Sequence, residues 1–428
     1  MLVGCSKIYI MPVDPMPLGG FDFRVGEYKR VAMPIHCRCL VLNQSVAIVS
    51  LELLFVGEAV TTEIRQRAAS HPQLKHLNVQ ICATHSHSSF QTEYGHSPRL
   101  GEVNHDYCQV LVEWVIEALL KAQNNQEPVQ IRSARSICDF GVHRRVVNAQ
   151  GCVEMAPNPN VAFDNSAHIW QFVSLSGQVK ALMVHNHCHP TISAENTLSG
   201  EYPGVVSDAI EQNYPNAVCL FLQGFCGDIR PNLSRSNRFY RGDFGDVVQL
   251  GKQLANNYLA ALTTSVERIP TATCCYREET VDLPLARRFT AEQLTNYQAD
   301  FAPDDIHFEW AEQQLIRLEK ASEDNSTTPS THSVKLGWLN ICDVIKLVTI
   351  NAEVVNEYQR YITESIDSEA FAVGYSNGMI GYIATAEQIN QGGYEADLSS
   401  YYFYLPSTFD QTVETSLKLA LANLILEK

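Results

Sequence analysis

The chain has 428 residues, 45% of them hydrophobic and 18% charged, enough to bury a large core and, on length alone, to fill two or three domains. Its 31 basic and 47 acidic residues leave a formal charge of -16, which repels a phosphate backbone or an anionic bilayer and argues against nucleic acid as a partner. No run reaches the roughly eighteen apolar residues of a membrane span, and the start MLVGCSKIYIMPVDPMPLGGF lacks the basic opening and apolar length of a secretion signal, so no stable membrane association and a cytoplasmic location are expected.

The odd number of cysteines, with Cys274 and Cys275 adjacent and others such as Cys82, Cys219 and Cys342 inside apolar runs, reads as reduced, buried residues rather than a disulfide framework. Cys37 and Cys39 form a CxC without the partner pair of a zinc ribbon. In chain order, the opening MPVDPMPLGGFDFR is a shaped loop rich in Pro and Gly. The runs RCLVLN and VAIVSLELLFV meet at Asn43, Gln44 and Ser45, which predicts a hairpin, with Glu52 as a partnered acid in the second run. Residues 57 to 70 are helical and lead to LNVQICA, a strand that runs into ATHSHSS at 83 to 89.

His85 and His87 therefore stand at a strand's carboxyl end, where α/β proteins keep their chemistry. Residues two apart in an extended exit face one way, so both imidazoles open on one cavity and can share a cation. Taken alone, the pair fits a polar loop equally well. Asn104 is placed to cap the run HDYCQVLVEWVIEALLKA, whose Tyr107, Val110, Leu111, Trp114, Val115 and Ala118 have the spacing of a core-facing helix. GVHRRVVNAQG then sets Arg144 and Arg145 before a turn.

The second constellation is VKALMVHNHCHPT, a strand ending in His185, His187 and His189 before Pro190. Alternation puts the three imidazoles on one face, a costly arrangement when buried without a cation or acids. Backbone carbonyls account for His185 and His187, which leaves His189, nearest the strand end, as the ligand. GEYPGVVSDAIEQ is a loop that enters a helix at Pro203, and AVCLFLQGFCGDIRPN is a buried strand followed by a Gly-rich turn with Asp228 and Arg230. Such a pair ties a loop together, or its arginine receives a carboxylate or phosphate at a cavity rim. Residues 278 to 335, with FAPDDIHFEWAEQQLIRLEKASED and the polar tract NSTTPSTH, read as an exposed helix and loop, a surface insertion.

Several separated blocks together resemble the neutral ceramidases and the wider ceramidase-like family, whose catalytic domain carries zinc. ATHSHSS is similar to the family's THTHSG block, HPT at 189 to 191 to its second histidine block, and GFCGDIRPN to its GDxSPN loop. INAEVVNEY at 350 to 358 resembles the Glu block, and GYSNGMIGYIATAEQINQGGYEA at 374 to 396 the block with a Tyr ligand and a YEA signature; PMPLGGFDFR resembles the family's start. The resemblance implies an α/β fold of central β-sheets flanked by helices, one catalytic domain over 1 to 428. It makes His85, His189, Glu353 and Tyr382 the ligands of Zn2+. Two neutral imidazoles and a carboxylate are usual donors of a catalytic site with an open position, and a cation favours the phenolate of a tyrosine. Without the resemblance, Glu353 is a capping acid and Tyr382 an ordinary strand tyrosine. His87 then stands beside the metal, placed to bond its water or an oxyanion. Arg144 falls where ceramidases carry an arginine in an NRS block, although His143 precedes it here.

The departures set the functional expectation. Ceramidases place a catalytic serine in GDxSPN, where this chain has Arg230, a guanidinium that is always protonated and offers no acceptor. About thirty residues (428 minus 396) follow the YEA signature, which leaves no room for the ceramidases' immunoglobulin-like C-terminal domain. The expected activity is zinc-dependent cleavage of an amide, N-acyl bond in a small, soluble, anionic substrate, with His87 or Asp228 moving the proton and Arg230 binding the anion. Ester hydrolysis, or an amide-forming or cyclising step of a biosynthetic pathway, would use the same site; a zinc-binding protein without catalysis is the other class. A metallo-β-lactamase expects an Asp and another His soon after its HxH, which HSHSSFQ lacks, and the regular alternation of an amidohydrolase barrel is missing.

Overall fold

The structure, a computed structural model, describes residues 1–271, 274–321 and 327–427. Its spine is a nine-stranded mixed sheet. Neighbouring strands run in the order Val218–Gln223, Val179–Asn186, Ser166–Ser174, Glu127–Ile137, Leu2–Tyr9, His36–Leu42, Val46–Leu51 and Asn78–Ala83, with Val266–Arg268 beside Glu127–Ile137. A second, four-stranded sheet follows, in the order Cys274–Pro284, Thr331–Ile341, Ile345–Ile350 and Ala370–Val373. The two sheets face each other across an apolar layer in which Leu40, Ile48, Trp170, Met183 and Leu220 of the first meet Leu339, Leu347, Phe371 and Val373 of the second. Helices close the outer faces: His105–Asn124, Glu201–Asn213 and Phe244–Leu262 on the large sheet, Glu357–Ser365 and Val413–Leu426 on the small one. The result is a central mixed sheet structure flanked by helices, in four layers.

Local chemistry explains the elements that position the site. The hairpin His36–Leu42 and Val46–Leu51 turns through Asn43 and Gln44, both at positive φ, the twist that hairpin turns require. The second strand stops at Leu51, before Glu52, and so is shorter than its apolar run. Asn104 caps the helix His105–Asn124 by accepting the Tyr107 amide at 2.9 Å, and Tyr107, Leu111, Val115 and Ala118 face the core. Val110, expected on that face, is 43% exposed, and Val112 is buried instead. The helix expected to start at Pro203 begins two residues earlier, at Glu201. All thirteen cysteines are free thiols.

The stretch 278 to 335 differs from the expected helix and loop. It starts within the strand Cys274–Pro284 and ends within Thr331–Ile341, and between them lie two helices, Ala291–Gln298 and Ile306–Lys320. The helices carry a small core of their own, in which Phe289, Leu294 and Trp310 pack with Tyr404. Residues 322–326, the end of the expected helical run and the start of the polar tract, lie outside the described residues.

Candidate metal centre

The strand Asn78–Ala83 ends two residues before His85, and His85 has φ +62°, a left-handed conformation that is costly for a residue with a side chain. That kink, rather than the expected alternation along an extended exit, brings His85 and His87 together. Their rings are perpendicular with centroids 4.7 Å apart. Tyr375, also left-handed at φ +53°, stacks on His85 at 3.9 Å and helps to hold the turn. His87 is fixed from the other side by the Pro- and Gly-rich loop. A Cβ on Gly20, itself at φ +93°, would lie 2.3 Å from His87 Nδ1, so only glycine allows this approach. Phe21 packs on the ring at 4.8 Å, and Arg24 donates to the carbonyls of Gly19 and His87.

The histidine strand ends at Asn186, so the three imidazoles after Val184 do not share a face as expected. His185, still in the strand, turns Nε2 to the Ala372 carbonyl at 2.8 Å. His187 is fully buried, with Asp164 at 4.0 Å and a backbone hydrogen bond to Phe225 that, like Asp164, opposes the downward push of burial on its pKa. His189 turns into the centre, its backbone amide donating to Ile229 at 3.2 Å.

Around His189 the geometry selects tautomers. His85 Nδ1 is 2.9 Å from the Leu54 carbonyl and His189 Nδ1 2.9 Å from the Cys226 carbonyl, so each ring donates from Nδ1 and leaves Nε2 bare. Those two bare nitrogens lie 3.1 Å apart. Glu353 adds oxygens 2.9 Å from His189 Nε2 and 3.5 Å from His85 Nε2. The two bare nitrogens and the Glu353 carboxylate thus face one point as acceptors. Adding protons is resisted, because burial pushes His189 down to about 4 despite Glu353. A cation resolves the conflict, and the residues present fit one. His87 Nε2 is 3.2 Å from His85 Nε2, so the buried cluster that can hold a metal comprises His85, His87 and His189, with ligand atoms within 4.8 Å of one another. His87, expected only beside the metal, is thereby close enough to be a third nitrogen donor.

Glu353 and Tyr382 are brought side by side by a two-residue parallel ladder in which Glu353 pairs with Tyr382. The Tyr382 hydroxyl hydrogen-bonds Glu353 and accepts from Arg144 Nη2 at 3.2 Å. Burial and then Glu353 raise the phenol's pKa well above its ordinary value, and Arg144 opposes them. Arg144 is itself set by Glu395 of the YEA signature, whose oxygen accepts from Arg144 Nε at 2.6 Å while its other oxygen takes Arg145. Neither the clamp of Gly20 and Arg24 nor the part of Glu395 was assigned from sequence, although PLGGF and YEA were both conspicuous.

Asp228, expected to help move a proton or to hold its loop, is hydrogen-bonded through both oxygens. Its oxygens accept from the Asn356 amide at 2.8 Å, Gln388 Nε2 at 2.8 Å and His143 Nε2 at 3.1 Å, so it ties three segments together beside a cavity of about 330 Å³. Arg230 lies on the short strand Ile229–Pro231, paired with Gly141–Val147, one residue from the carbonyl that receives His189. It is buried there.

No family model matches the chain, and no curated protein matches it by sequence. Among solved structures, the neutral ceramidase from Pseudomonas aeruginosa superposes with a TM-score of 0.74 at 15% identity, covering 99% of this chain and 74% of that one. A ceramidase complexed with C2 superposes with a TM-score of 0.73 at 14% identity, again over 99% and 74%. The chain therefore has a neutral-ceramidase-like fold, as the resemblance of its motifs implied.

Proposed function

We propose that this chain is a zinc-dependent hydrolase that cleaves an amide, N-acyl bond of a small substrate. The carrying observation is the convergence of His85 Nε2, His189 Nε2 and the Glu353 carboxylate, each with its protons already committed elsewhere or absent. Those three groups with Tyr382 would hold the ion, a nitrogen and oxygen set suited to zinc. When bound, zinc supplies Lewis acidity to a carbonyl and lowers the pKa of a water to about 7.

The chain's own residues supply the rest. His87 is held neutral, pushed well below its ordinary pKa by burial first and then by His85, His189, Arg241 and Arg24. A neutral ring accepts the proton of an attacking water. Arg144 donates to the Tyr382 oxygen and keeps it directed at Glu353. Arg230 occupies the place of the serine in the motif and cannot be a nucleophile, so water attacks directly and Arg230 binds an anionic part of the substrate.

Metal content by mass spectrometry tests the reading. We expect about one zinc per chain in the wild type and none in His85→Ala or Glu353→Ala. The wild-type protein should then release free amine from short N-acyl compounds. A chain that takes up no metal on reconstitution overturns the mechanism. Metal without turnover of amides leaves the ester-cleaving, amide-forming and non-catalytic alternatives.

A further inference from the structure

Arg230 carries its charge nearly out of reach of solvent and without a carboxylate partner among the described residues. It is 4% exposed, its guanidinium lies over the Phe239 ring at 4.3 Å, its Nη1 meets only the Met155 sulfur at 3.8 Å, and its Nε has no partner among the described residues. The other arginines buried to this degree, Arg38, Arg144 and Arg145, all meet carboxylates. A buried guanidinium left bare costs free energy that the fold recovers nowhere in its own contacts.

It is not alone. Arg241 stands over the Phe21 ring at 4.3 Å, and the same ring packs on His87. Arg24 lies 5.1 Å from that ring and spends its hydrogen bonds on carbonyls, leaving Nε without a partner. Among the described residues no carboxylate forms an ion pair with Arg24, Arg230 or Arg241. Glu201, which attracts Arg241, has already given its oxygens to the backbone amides of Ile192, Ser193 and Tyr202. The charges share one field: after burial, Arg241 and Arg144 push Arg230 down to about 9, and Arg241 acts likewise on Arg24 and on His87. Positive potential is thus concentrated beside the histidines of a chain whose net charge is -16.

We infer that this rim seats two negative charges of the substrate, one against buried Arg230 and one against exposed Arg241, so that the compound cleaved is a dianion. The inference rests on the hydrolase reading only for where the scissile bond lies. A single carboxylate would neutralise Arg230 and leave Arg241 uncompensated. One phosphoryl group, or two carboxylates, satisfies both forks.

Calorimetric titration of the metal-loaded protein with inorganic phosphate, succinate and acetate at about pH 8 tests it, since the first two are then largely dianions and acetate is not. Phosphate or succinate should bind at least tenfold more tightly than acetate, and Arg230→Met and Arg241→Met should each weaken that binding about tenfold. Phosphate ahead of succinate identifies a phosphoryl group; the reverse identifies two carboxylates. Dianions that bind no better than acetate, or that bind equally to both variants, as they would on the metal alone, overturn the inference. Arg241 is exposed, so its variant keeps the test decisive if Arg230→Met fails to fold. Dianion binding without amide cleavage would sink the hydrolase reading alone, and cleavage of uncharged amides without dianion binding would sink this inference alone.

Discussion

Arg38 and Arg230 are almost equally buried, 2% and 4% exposed, yet they belong to opposite kinds of environment. Arg38, on the hairpin strand, meets Glu52, donates to Asp208 at 2.7 Å and to Glu211 at 2.9 Å, and Lys7 completes the network at the two outer acids. Every donor edge has an oxygen. Arg230, beside the candidate metal centre, has a ring and a sulfur. The first arrangement satisfies every donor of its guanidinium, whereas the second leaves Nε without a partner among the described residues. A buried charge is thus fully paired on the large sheet at Arg38 and left unpaired on the small three-stranded sheet at Arg230.

The largest effect should come from Arg38. Arg38→Met strands the Glu52 carboxylate in the core with only His36 beside it, and should lower stability to urea by about 3–5 kcal/mol. Arg230→Met should move the other way, raising stability by roughly 1–3 kcal/mol because an unpaired charge leaves the interior. Loss of stability of the Arg38 size in that variant would show that Arg230 is structurally paired after all. The smallest effect separates the two arginines by pH. Burial raises Glu52, but Arg38 and His36 outweigh it and hold the acid at about 2, so its contribution is present above its ordinary value of 4.5 and is lost as pH falls through about 2. Arg230 is depressed to about 9, so above that pH the unfolded chain binds more protons than the folded one and stability rises. The advantage of Arg230→Met over the wild type should shrink as pH rises through about 9, which denaturant titrations of both proteins would register. An advantage independent of pH would mean that Arg230 is not the origin of the difference.

Local signals were legible in the sequence, and long-range ones were legible only through motif resemblance. The cap at Asn104, the hairpin turn and the strand into ATHSHSS follow from residue chemistry over a few positions. The pairing of Glu353 with Tyr382 does not, because a two-residue parallel ladder has no periodicity to read. His85 and His87 do face one centre, but through the left-handed turn at His85 rather than by alternation, and His189 lies beyond its strand. At Asp228 the sequence shows a carboxylate but not the three donors that surround it. The loop around Gly20 was recognised as shaped, yet nothing local revealed that its glycine faces an imidazole 67 positions later (87 minus 20).

The ladder that seats Glu353 against Tyr382 also sets a schedule. During synthesis His85 and His189 leave the ribosome long before either oxygen donor, and the large sheet that carries them can begin to form while the rest of the chain is still being made. In that interval the imidazoles have no acid beside them and no closed coordination shell. An ion held jointly by these imidazoles and Glu353 would therefore be seated only after the large sheet's strands have all been made.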